Sequence, residues 1–395
     1  MNGKEAFKIM VCKKCKKRIK KDEVICPRCG APQTETVSLG AINAAQMTKK
    51  KPKRWKKALI AIAVTFLCLT LVATGLYYGM LHFLDENLEQ QPELQEEQVD
   101  VNPELPPSGV TNIALFGLDN RMDKDNGRSD AIIILSIDYD HNKIKLTSIA
   151  RDTLVHVEDY PSYQNKTKIT HAFYWGAQKP DQYGSGAQLA VKTLNQNFGM
   201  NITKYMYVNF YEFADLIDMV GGVDIEIKGY EMGYLNKHIS SMNRVMGTNT
   251  KPIYSSGMQT LTGGQALAYA RLRHVDSDLK RADRQKTVLE AAFNKVKKQP
   301  VSKYPELIKK ALGVCNTNLN SSELLKLAKW AIAESPEFIS KSIPDDQEKI
   351  YSNGGNWNDG NGWVYRMDLN YATAYLHDFI YETNTCENMT PVRPN

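Results

Sequence analysis

The chain is organised around an apolar segment that ends in a carboxylate, Asn112-Ile113-Ala114-Leu115-Phe116-Gly117-Leu118-Asp119. A second segment follows closely, in which Gly127-Arg128-Ser129-Asp130 leads directly into Ala131-Ile132-Ile133-Ile134-Leu135-Ser136-Ile137-Asp138. A third apolar segment, residues 143–149, ends at Ala150-Arg151-Asp152-Thr153. Strands that are apolar at almost every position are typical of a sheet covered on both faces. The three segments therefore predict neighbouring, buried strands.

Segments of helical and strand character alternate on the C-terminal side of these strands. Helices are predicted over residues 187–198, 211–220, 265–271, 305–334 and 371–381 and from 281 onward, and strands over 206–210 and 223–227. Residues 229–252 are predicted to be rich in loops, and residues 351–364 to form turns around a strand. This alternation predicts an α/β/α sandwich over residues 110–395.

Charged residues cluster where the predicted strands begin or end. They are Asp119, Arg121, Arg128, Asp130, Arg151 and Asp152. The strand ends of an open α/β sheet line the crevice in which ligands bind. Ordinary solvation of strand ends would explain any one of these residues, but it explains the whole set less well. The set therefore predicts a polar ligand site at one edge of the sheet.

A second concentration of charge lies in residues 271–285, which contain four arginines and three aspartates. Arg281 and Gln285 fall on the apolar face of the helix that begins there, at its first turn. Free N–H groups at a helix start attract anions, and the planar guanidinium group suits phosphate oxygens. The segment therefore predicts a phosphate or pyrophosphate clamp. A solvated helix start, in which the aspartates pair with the arginines, is the alternative.

The N-terminal region contains four cysteines in the pattern C-x2-C-x10-C-x2-C, namely Cys12, Cys15, Cys26 and Cys29. Two C-x2-C pairs can place four thiolates around one tetrahedral Zn²⁺, and so short a region needs a metal to fold. Residues 1–30 are therefore predicted to be a zinc ribbon with a structural Zn²⁺, with a redox dithiol as the alternative. Reduced thiolates place the ribbon in the cytoplasm.

Residues 58–84 contain an apolar run that predicts one transmembrane helix. A basic linker, residues 31–57, precedes the run and orients the N terminus towards the cytoplasm. A polar spacer, residues 85–109, follows it. The domain of residues 110–395 is therefore expected outside the cell, on a single-pass anchor in the cell membrane. A cleaved signal peptide is the alternative.

Charge is spread unevenly along the 395 residues. Residues 1–57 contain 17 Lys and Arg against 4 Asp and Glu, whereas the remainder contains 33 against 40. A nucleic-acid-binding domain needs a basic face, so the acidic outer domain argues against nucleic acid as its partner. The basic linker is instead expected to lie against the anionic headgroups of the lipid bilayer.

Five segments resemble the LytR-CpsA-Psr family of membrane-anchored cell-wall phosphotransferases. They occur in the order of the family and comprise residues 112–119, 127–138, 147–153, 207–227 and 264–285. The resemblance implies an α/β/α sandwich with an apolar tunnel for a polyprenyl chain. It implies transfer of a glycopolymer, of teichoic acid or capsule type, from an undecaprenyl-diphosphate carrier to a sugar hydroxyl of peptidoglycan. It also implies Mg²⁺ as a cofactor.

The resemblance assigns roles residue by residue. Asp119 and Asp130 match carboxylates that hold Mg²⁺. The residues that match the surroundings of the diphosphate are Arg121, Arg128, Arg151, Arg271, Arg273, Arg281 and Gln285, to which Arg284 is added at a recurrent position. The residues expected to act in catalysis are Arg151, Asp130, Asp152 and Arg281, with Asp130 or Asp152 as the proton acceptor. Direct in-line transfer is expected, because no cysteine or serine stands in a nucleophile setting.

Three other functions remain open at this point. The same site could pass the phosphate to water, which would make the protein a lipid-diphosphate pyrophosphatase. A transcriptional attenuator or regulator could act through the N-terminal ribbon. A wall-binding scaffold would need no catalysis at all.

Two cysteines of the outer domain, Cys315 and Cys386, would face an oxidising exterior. A disulfide between them is predicted, and it would tie the C-terminal segment to the helical region of residues 305–334. Two buried thiols are the alternative.

Overall fold

The computed structural model describes residues 9–20, 23–32, 94–102, 109–119, 127–178, 182–272, 278–300, 303–345, 347–357 and 362–394. The chain divides into two compact units, residues 1–78 and 79–395. Within the described ranges, no helix is both long and apolar enough to cross a membrane. The predicted span, residues 58–84, lies outside those ranges.

Strands and helices alternate along the described residues. The strands are β1 (Ile9–Val11), β2 (Arg18–Lys20), β3 (Val110–Asp119), β4 (Arg128–Asp138), β5 (Lys143–Ile149), β6 (Leu154–His156), β7 (Lys166–Lys168), β8 (Lys204–Asn209), β9 (Val223–Ile227), β10 (Gly257–Leu261), β11 (Asn316–Thr317), β12 (Glu337–Ile343), β13 (Ser352–Trp357) and β14 (Gly362–Met367). The helices are α1 (Thr170–Gly176), α2 (Gln182–Phe198), α3 (Phe210–Met219), α4 (Gly229–Met246), α5 (Gly263–Ala270), α6 (Asp278–Lys297), α7 (Tyr304–Leu312), α8 (Ser321–Glu334) and α9 (Leu369–Tyr381).

Six strands form one mixed sheet in the order β11-β8-β3-β4-β5-β12. β3 runs parallel to β8 and antiparallel to β4, while β5 runs antiparallel to β4 and parallel to β12. Consequently β3, β5 and β8 end at the same edge of the sheet, and β4 begins there. This edge, marked by Asp119, Asp130 and Asn209, is called the site edge.

Helices cover both faces of the sheet. On one face, Phe116 of β3 packs edge-to-face on Phe173 of α1, with ring centroids 5.7 Å apart. Successive residues of a strand point to opposite faces. Accordingly, Leu115 of β3 borders a cavity on the other face, which Phe213 of α3 and Leu289 of α6 also line. The predicted mixed α/β fold is confirmed.

Two predicted segments differ from the structure. Residues 229–252, predicted to be rich in loops, form α4 over most of their length. The Glu231 side chain accepts a hydrogen bond from the Lys228 N–H at 3.1 Å, and Gly247 ends the helix in the left-handed region at φ 67°. Glycine, serine and tyrosine interrupt the apolar pattern of this helix, so the sequence does not indicate a helix here. Residues 305–334, predicted as one helical region, contain α7 and α8, which β11 separates.

The C-terminal part contains two further differences. β12 extends the sheet beyond β5, and the sequence does not predict it because Glu337 and Lys341 interrupt its apolar pattern. Residues 351–364 are predicted as turns around one strand, but their described positions belong to two antiparallel strands, β13 and β14.

Part of the predicted polar spacer is folded onto the domain. Leu94 and Val99 are 7% and 0% exposed, and they pack in the same core as α2 and α9. The Asn102 side chain donates a hydrogen bond to the Gly199 carbonyl at 3.2 Å. Residues 94–102 therefore belong to the domain, although the sequence places them in the spacer of residues 85–109.

The structure contradicts the predicted disulfide, because Cys315 and Cys386 are free thiols. Cys386 packs against the core that contains α2 and α9, on one side of the sheet. Cys315 follows α7, and it lies within electrostatic reach of Glu212 of α3, on the other side. Burial raises the pKa of Cys315 to about 12 and that of Cys386 to about 11. The two thiols therefore pack against different elements and are not bonded to each other.

Candidate active site

The site edge brings together residues from four different strands. Asp119 ends β3, Arg151 follows β5, Asn209 ends β8, and Asp130 lies near the start of β4. All four line one cavity of about 650 Å³. This convergence follows from the strand directions, and it matches the ligand crevice that the charged strand ends predict.

An irregularity between β3 and β4 directs Asp130 to this cavity. Gly117 pairs with Ala131, whereas Leu118 pairs with Ser129, so Asp130 is an extra residue in β4. Regular alternation along β4 would place its side chain on the opposite face of the sheet, under α1. A bulge of this kind re-aims a side chain, and bulges are common beside active sites.

Arg151 is the centre of an ion-pair network. Its Nη1 donates to Asp130 Oδ1 at 2.6 Å, and its Nε lies 3.4 Å from Asp152 Oδ2. Lys168 Nζ lies 3.0 Å from the other carboxylate oxygen of Asp152. Asp152 is 6% exposed and lies outside the lining of the large cavity. Asp152 therefore pairs with Arg151 from outside that lining, whereas Asp130 is part of the lining.

Arg271 reaches the cavity from the C-terminal end of α5. Its Nη2 lies 3.7 Å from Asp119 Oδ1. Its guanidinium carbon lies 3.7 Å from the centre of the Phe210 ring. Stacking on an aromatic ring uses the face of a guanidinium group, so its N–H groups point outward in the plane of the group, where they can donate to anions.

One face of α6 lines the cavity along most of the helix. The lining residues of this face are Arg281, Gln285, Leu289, Ala292 and Val296. At 1.5 Å per residue, the step from Arg281 to Val296 is about 22 Å. The face changes from polar to apolar along that length, so the cavity has a polar mouth at the site edge and an apolar interior.

Helices α3, α7 and α8 complete the apolar interior. Their lining residues are Phe213, Leu216, Ile217, Met219, Val220, Tyr304, Leu307, Ile308, Ala311 and Ala328. An apolar interior bordered at one end by guanidinium and carboxylate groups suits an amphiphile with a long apolar tail and an anionic head.

The alternative interpretation of the α6 start, aspartates paired with arginines, does not describe Asp283. Its carboxylate pairs with Lys280 at 3.2 Å and with Lys286 at 3.1 Å. Arg281 and Gln285 both line the cavity, and Arg281 is 5% exposed. They therefore lie where the clamp prediction needs them, while Asp276 and the side chain of Asp278 lie outside the described residues.

The structure does not bring Arg284 to the cavity. Its Nε and Nη2 donate to Glu231 Oε1 at 3.2 and 3.1 Å, and its Nη1 donates to the Leu272 carbonyl at 3.3 Å. Arg284 follows Arg281 by three residues, so its side chain leaves α6 in a different direction. The predicted diphosphate contact is replaced by a buried ion pair that fixes α6 to α4.

Of the three remaining predicted arginines, only Arg128 lies within the described residues. Arg128 is exposed, pairs in register with Asp119, and lies with its guanidinium carbon 5.9 Å from the centre of the Tyr174 ring. It therefore stands beside the mouth of the cavity. Arg121 and Arg273 lie outside the described residues.

Sequence reasoning missed three residues around the site. Lys168 ends β7 and supports Asp152, Glu231 of α4 holds Arg284, and His238 of α4 lines the cavity. The signal for α4 was the apolar spacing of Leu235 and Ile239. The contacts themselves depend on residues that are distant in sequence.

In the N-terminal unit, the four predicted zinc ligands converge. The sulfur atoms of Cys12, Cys15, Cys26 and Cys29 lie within 4.8 Å of one another. The Cys12–Cys29 and Cys15–Cys26 sulfur distances are 3.5 and 3.6 Å. Four sulfurs bound at about 2.3 Å to a tetrahedral Zn²⁺ stand about 3.8 Å apart, so the cluster has a fitting size. Within this cluster, a hydrogen bond from the Cys15 N–H lowers the pKa of Cys12 to about 6. The Ala31 N–H lowers the pKa of Cys29, but burial and hydrogen bonds with the other sulfurs outweigh it and raise that pKa to about 11.

The larger unit is similar in sequence to known proteins. TagU of Oceanobacillus iheyensis, named a polyisoprenyl-teichoic acid–peptidoglycan teichoic acid transferase, is 32% identical over 254 residues, which cover 62% of this chain and 71% of TagU. TagT of Bacillus subtilis carries the same functional name and is 29% identical over 255 residues, which cover 63% of this chain and 72% of TagT.

The fold is shared with a solved structure of TagT that holds an octaprenyl pyrophosphate lipid. The TM-score is 0.52 at 20% identity, and the match covers 73% of this chain and 99% of TagT. The model of the LytR_cpsA_psr family matches residues 77–374. This chain therefore belongs to the LytR_cpsA_psr family.

Proposed function

We propose that this chain is a transferase that moves a glycopolymer of teichoic acid type from a polyprenyl-diphosphate carrier, undecaprenyl diphosphate, to a sugar hydroxyl of peptidoglycan. The observation that carries the proposal is the cavity with an apolar interior and an arginine-rich mouth. The names of TagU and TagT support the donor and acceptor classes. The octaprenyl pyrophosphate lipid held by TagT has the expected amphiphilic form.

The carrier would lie with its tail along α6. Leu289, Ala292 and Val296 offer apolar surface to the tail, and burying such surface contributes about 25 cal/mol per Å². The diphosphate would then lie beside Arg281, Arg271 and Arg151. Their guanidinium groups can donate to several phosphate oxygens at once.

Mg²⁺ fits the donor set of this mouth. Asp119 and Asp130 both line the cavity, and carboxylate oxygens are ligands that Mg²⁺ prefers. We assign these two residues to the ion. When bound, Mg²⁺ would supply charge neutralisation for the diphosphate oxygens.

The transfer step needs an attacking hydroxyl and a leaving phosphate in line. The acceptor oxygen forms a bond to the phosphorus that carries the glycan, and the bond from that phosphorus to the bridging oxygen breaks. Polyprenyl phosphate leaves, and a carboxylate takes the hydroxyl proton. Of the two predicted proton acceptors, Asp130 lines the cavity but pairs with Arg151 and is assigned to Mg²⁺, whereas Asp152 pairs with Arg151 and Lys168. Both carboxylates border the same small pocket beside Arg281, so we keep Asp130 and Asp152 as the two candidates for the proton acceptor. Asp152 also positions Arg151.

The test uses the full chain in proteoliposomes with a carrier-linked glycan, with and without peptidoglycan oligomers. We expect polyprenyl phosphate and a glycan–peptidoglycan phosphodiester to form in equal amounts when the oligomers are present. Release of polyprenyl phosphate without the phosphodiester, under both conditions, would identify a pyrophosphatase. The absence of both products would favour the scaffold or the regulator.

We also propose a structural Zn²⁺ on Cys12, Cys15, Cys26 and Cys29, supported by the size of the sulfur cluster. Elemental analysis of the full chain should give one zinc per molecule, and Cys26→Ser should remove it. Unchanged zinc content in this variant would contradict the site.

The membrane topology remains a proposal drawn from the sequence. We propose that residues 58–84 span the cell membrane, with the ribbon in the cytoplasm and the larger domain outside. Protease added to intact cells without a wall should digest the larger domain and spare an epitope placed at the N terminus. Protection of the larger domain would contradict this topology.

A further inference from the structure

Helix α4 lies along the rim of the cavity mouth. Near its start, Glu231 forms the buried ion pair with Arg284 of α6, whose first turn also carries Arg281. At its end, the Met246 carbonyl accepts a hydrogen bond from the Tyr211 hydroxyl at 3.5 Å, next to the site edge. In its middle, His238 lines the cavity. Both ends and the middle of α4 therefore touch the surroundings of the candidate site.

The solvent side of α4 carries two exposed tyrosines. Tyr230 and Tyr234 are 57% and 46% exposed, which is more than the intermediate burial usual for tyrosine. Lys228 Nζ and Lys237 Nζ each lie 5.9 Å from the centre of one of these rings. With about 100° per residue, Tyr234 lies about 40° and Tyr230 about 80° around the helix from His238. Both tyrosines therefore lie on the solvent-exposed flank of α4 that is next to His238.

The opposite flank of α4 has a different partner. Asn236 forms two hydrogen bonds with the backbone of Ile253, both 2.7 Å long, and Asn243 donates to the Thr250 carbonyl at 2.9 Å. The loop that contains Ile253 therefore packs on the flank away from His238. Tyr254, in that loop, is 82% exposed. Tyr254 is therefore a suitable control: it is also an exposed tyrosine, but its loop packs on the flank of α4 away from His238.

We propose that Tyr230 and Tyr234 form a stacking platform for the pyranose rings of the acceptor glycan strand. An exposed aromatic patch on a soluble surface marks an interaction site, and a sugar ring presents an apolar C–H face that suits a tyrosine ring. The two residues are one turn apart, which is about 6 Å along the helix. This spacing is close to the length of one ring in a β-1,4-linked sugar chain, so two consecutive rings can stack.

The acceptor, rather than the glycan of the carrier, is the expected occupant. This assignment rests on the proposed transferase function. In-line displacement places the attacking hydroxyl opposite the leaving polyprenyl phosphate, whose tail occupies the interior of the cavity. The acceptor strand must therefore approach from solvent, across the rim that α4 forms. The lysines beside the tyrosines add donors for the carboxyl groups of peptidoglycan stems.

The test compares the full chain with Tyr230→Ala, Tyr234→Ala, the matching Phe variants and Tyr254→Ala. Each rim alanine should raise the KM for peptidoglycan oligomers about threefold to tenfold, because it removes one ring contact. The KM for the carrier-linked glycan should stay unchanged, which distinguishes the acceptor from the donor glycan. The Phe variants keep the ring and should bind like the parent, and Tyr254→Ala should match them.

A binding measurement without the carrier separates this inference from the proposed function. Saturation-transfer NMR with peptidoglycan glycan oligomers should give signals that Tyr230→Ala and Tyr234→Ala weaken and Tyr254→Ala does not. Equal signals in all variants would overturn the platform even if transfer is observed. A raised KM for the carrier-linked glycan alone would also overturn it, because the donor glycan would then be the occupant. If the rim variants lose binding but no variant transfers, the proposed function fails while the sugar platform stands.

Discussion

Charge concentrates at both ends of the central strands, at the site edge and at the edge opposite to it, where β3 and β5 begin and β4 ends. The two edges differ in what the charges face. At the site edge, Arg151 and Asp130 border a cavity with an apolar interior. Near the opposite edge, Lys145 and Asp138 are 0% and 1% exposed, and Lys145 Nζ lies 2.7 Å from the carboxylate. Glu382, at 3.1 Å, and the Ile380 carbonyl, at 2.8 Å, enclose the same ammonium group. Charge that borders a cavity has room for a ligand, whereas charge enclosed by its partners serves the fold.

The largest expected effect comes from the site edge. Arg281→Ala and Asp130→Asn should each lower the rate of transfer about a thousandfold, because each removes a group that stabilises the transition-state charge. The free energy of unfolding should change little by comparison. Initial rates in proteoliposomes, with enzyme concentration corrected for folded protein, measure the effect.

A matched control for Arg281 stands next to it on α6. Lys280 is 63% exposed and pairs with Asp283, so Lys280→Ala should keep the parental rate. An equal loss in Lys280→Ala would show that the first turn of α6 responds to any change. Full activity in Arg281→Ala would remove this arginine from the site.

The opposite edge should respond in stability rather than in rate. Lys145→Met leaves Asp138 buried without its main cation, so we expect a loss of about 3 kcal/mol in the free energy of unfolding. Lys143→Met is the control, since Lys143 is 27% exposed and its pair with Glu382 should contribute less than about 1 kcal/mol. Urea unfolding followed by tryptophan fluorescence measures both values.

The rate of transfer per folded molecule should be parental in Lys145→Met. A Lys145→Met protein with a lowered rate of transfer and a parental free energy of unfolding would contradict the distinction between the two edges. The double variant Lys145→Met with Asp138→Asn should regain part of the lost stability, because no buried charge is then left without its partner.

The sequence predicts the charged edge better than it predicts the role of each charge. Residues such as Asp119 and Arg151 follow apolar strands, and strand direction alone brings them together. Asp130 reaches the cavity only through a bulge, which regular alternation does not reveal. Arg284 looks equivalent to Arg281 in the sequence, but its partner Glu231 lies 53 positions away. Tertiary contacts, rather than residue type, therefore separate the ligand-facing charges from the enclosed ones.

The smallest expected effect is a pH dependence that belongs to the opposite edge. Burial raises the pKa of Asp138, but hydrogen bonds from Lys145 and His141 outweigh burial and hold the pKa below its ordinary value of 3.8. Lys143 and Glu382 are the other charged groups of this cluster. A carboxyl group with a lowered folded-state pKa stabilises the fold above its unfolded-state pKa, and this stability is lost as the pH falls through the folded-state pKa.

The free energy of unfolding should therefore fall as the pH drops below about 3.8, and it should fall less in Asp138→Asn than in the parent. Arg281→Ala changes only the site edge, so its stability should follow the parental pH dependence. Urea midpoints between about pH 5 and pH 2.5 measure all three proteins. If Asp138→Asn loses stability with acid as steeply as the parent, the enclosed pair does not set the acid limit. If Arg281→Ala departs from the parent instead, the two edges are coupled, and charge at the site edge also serves the fold.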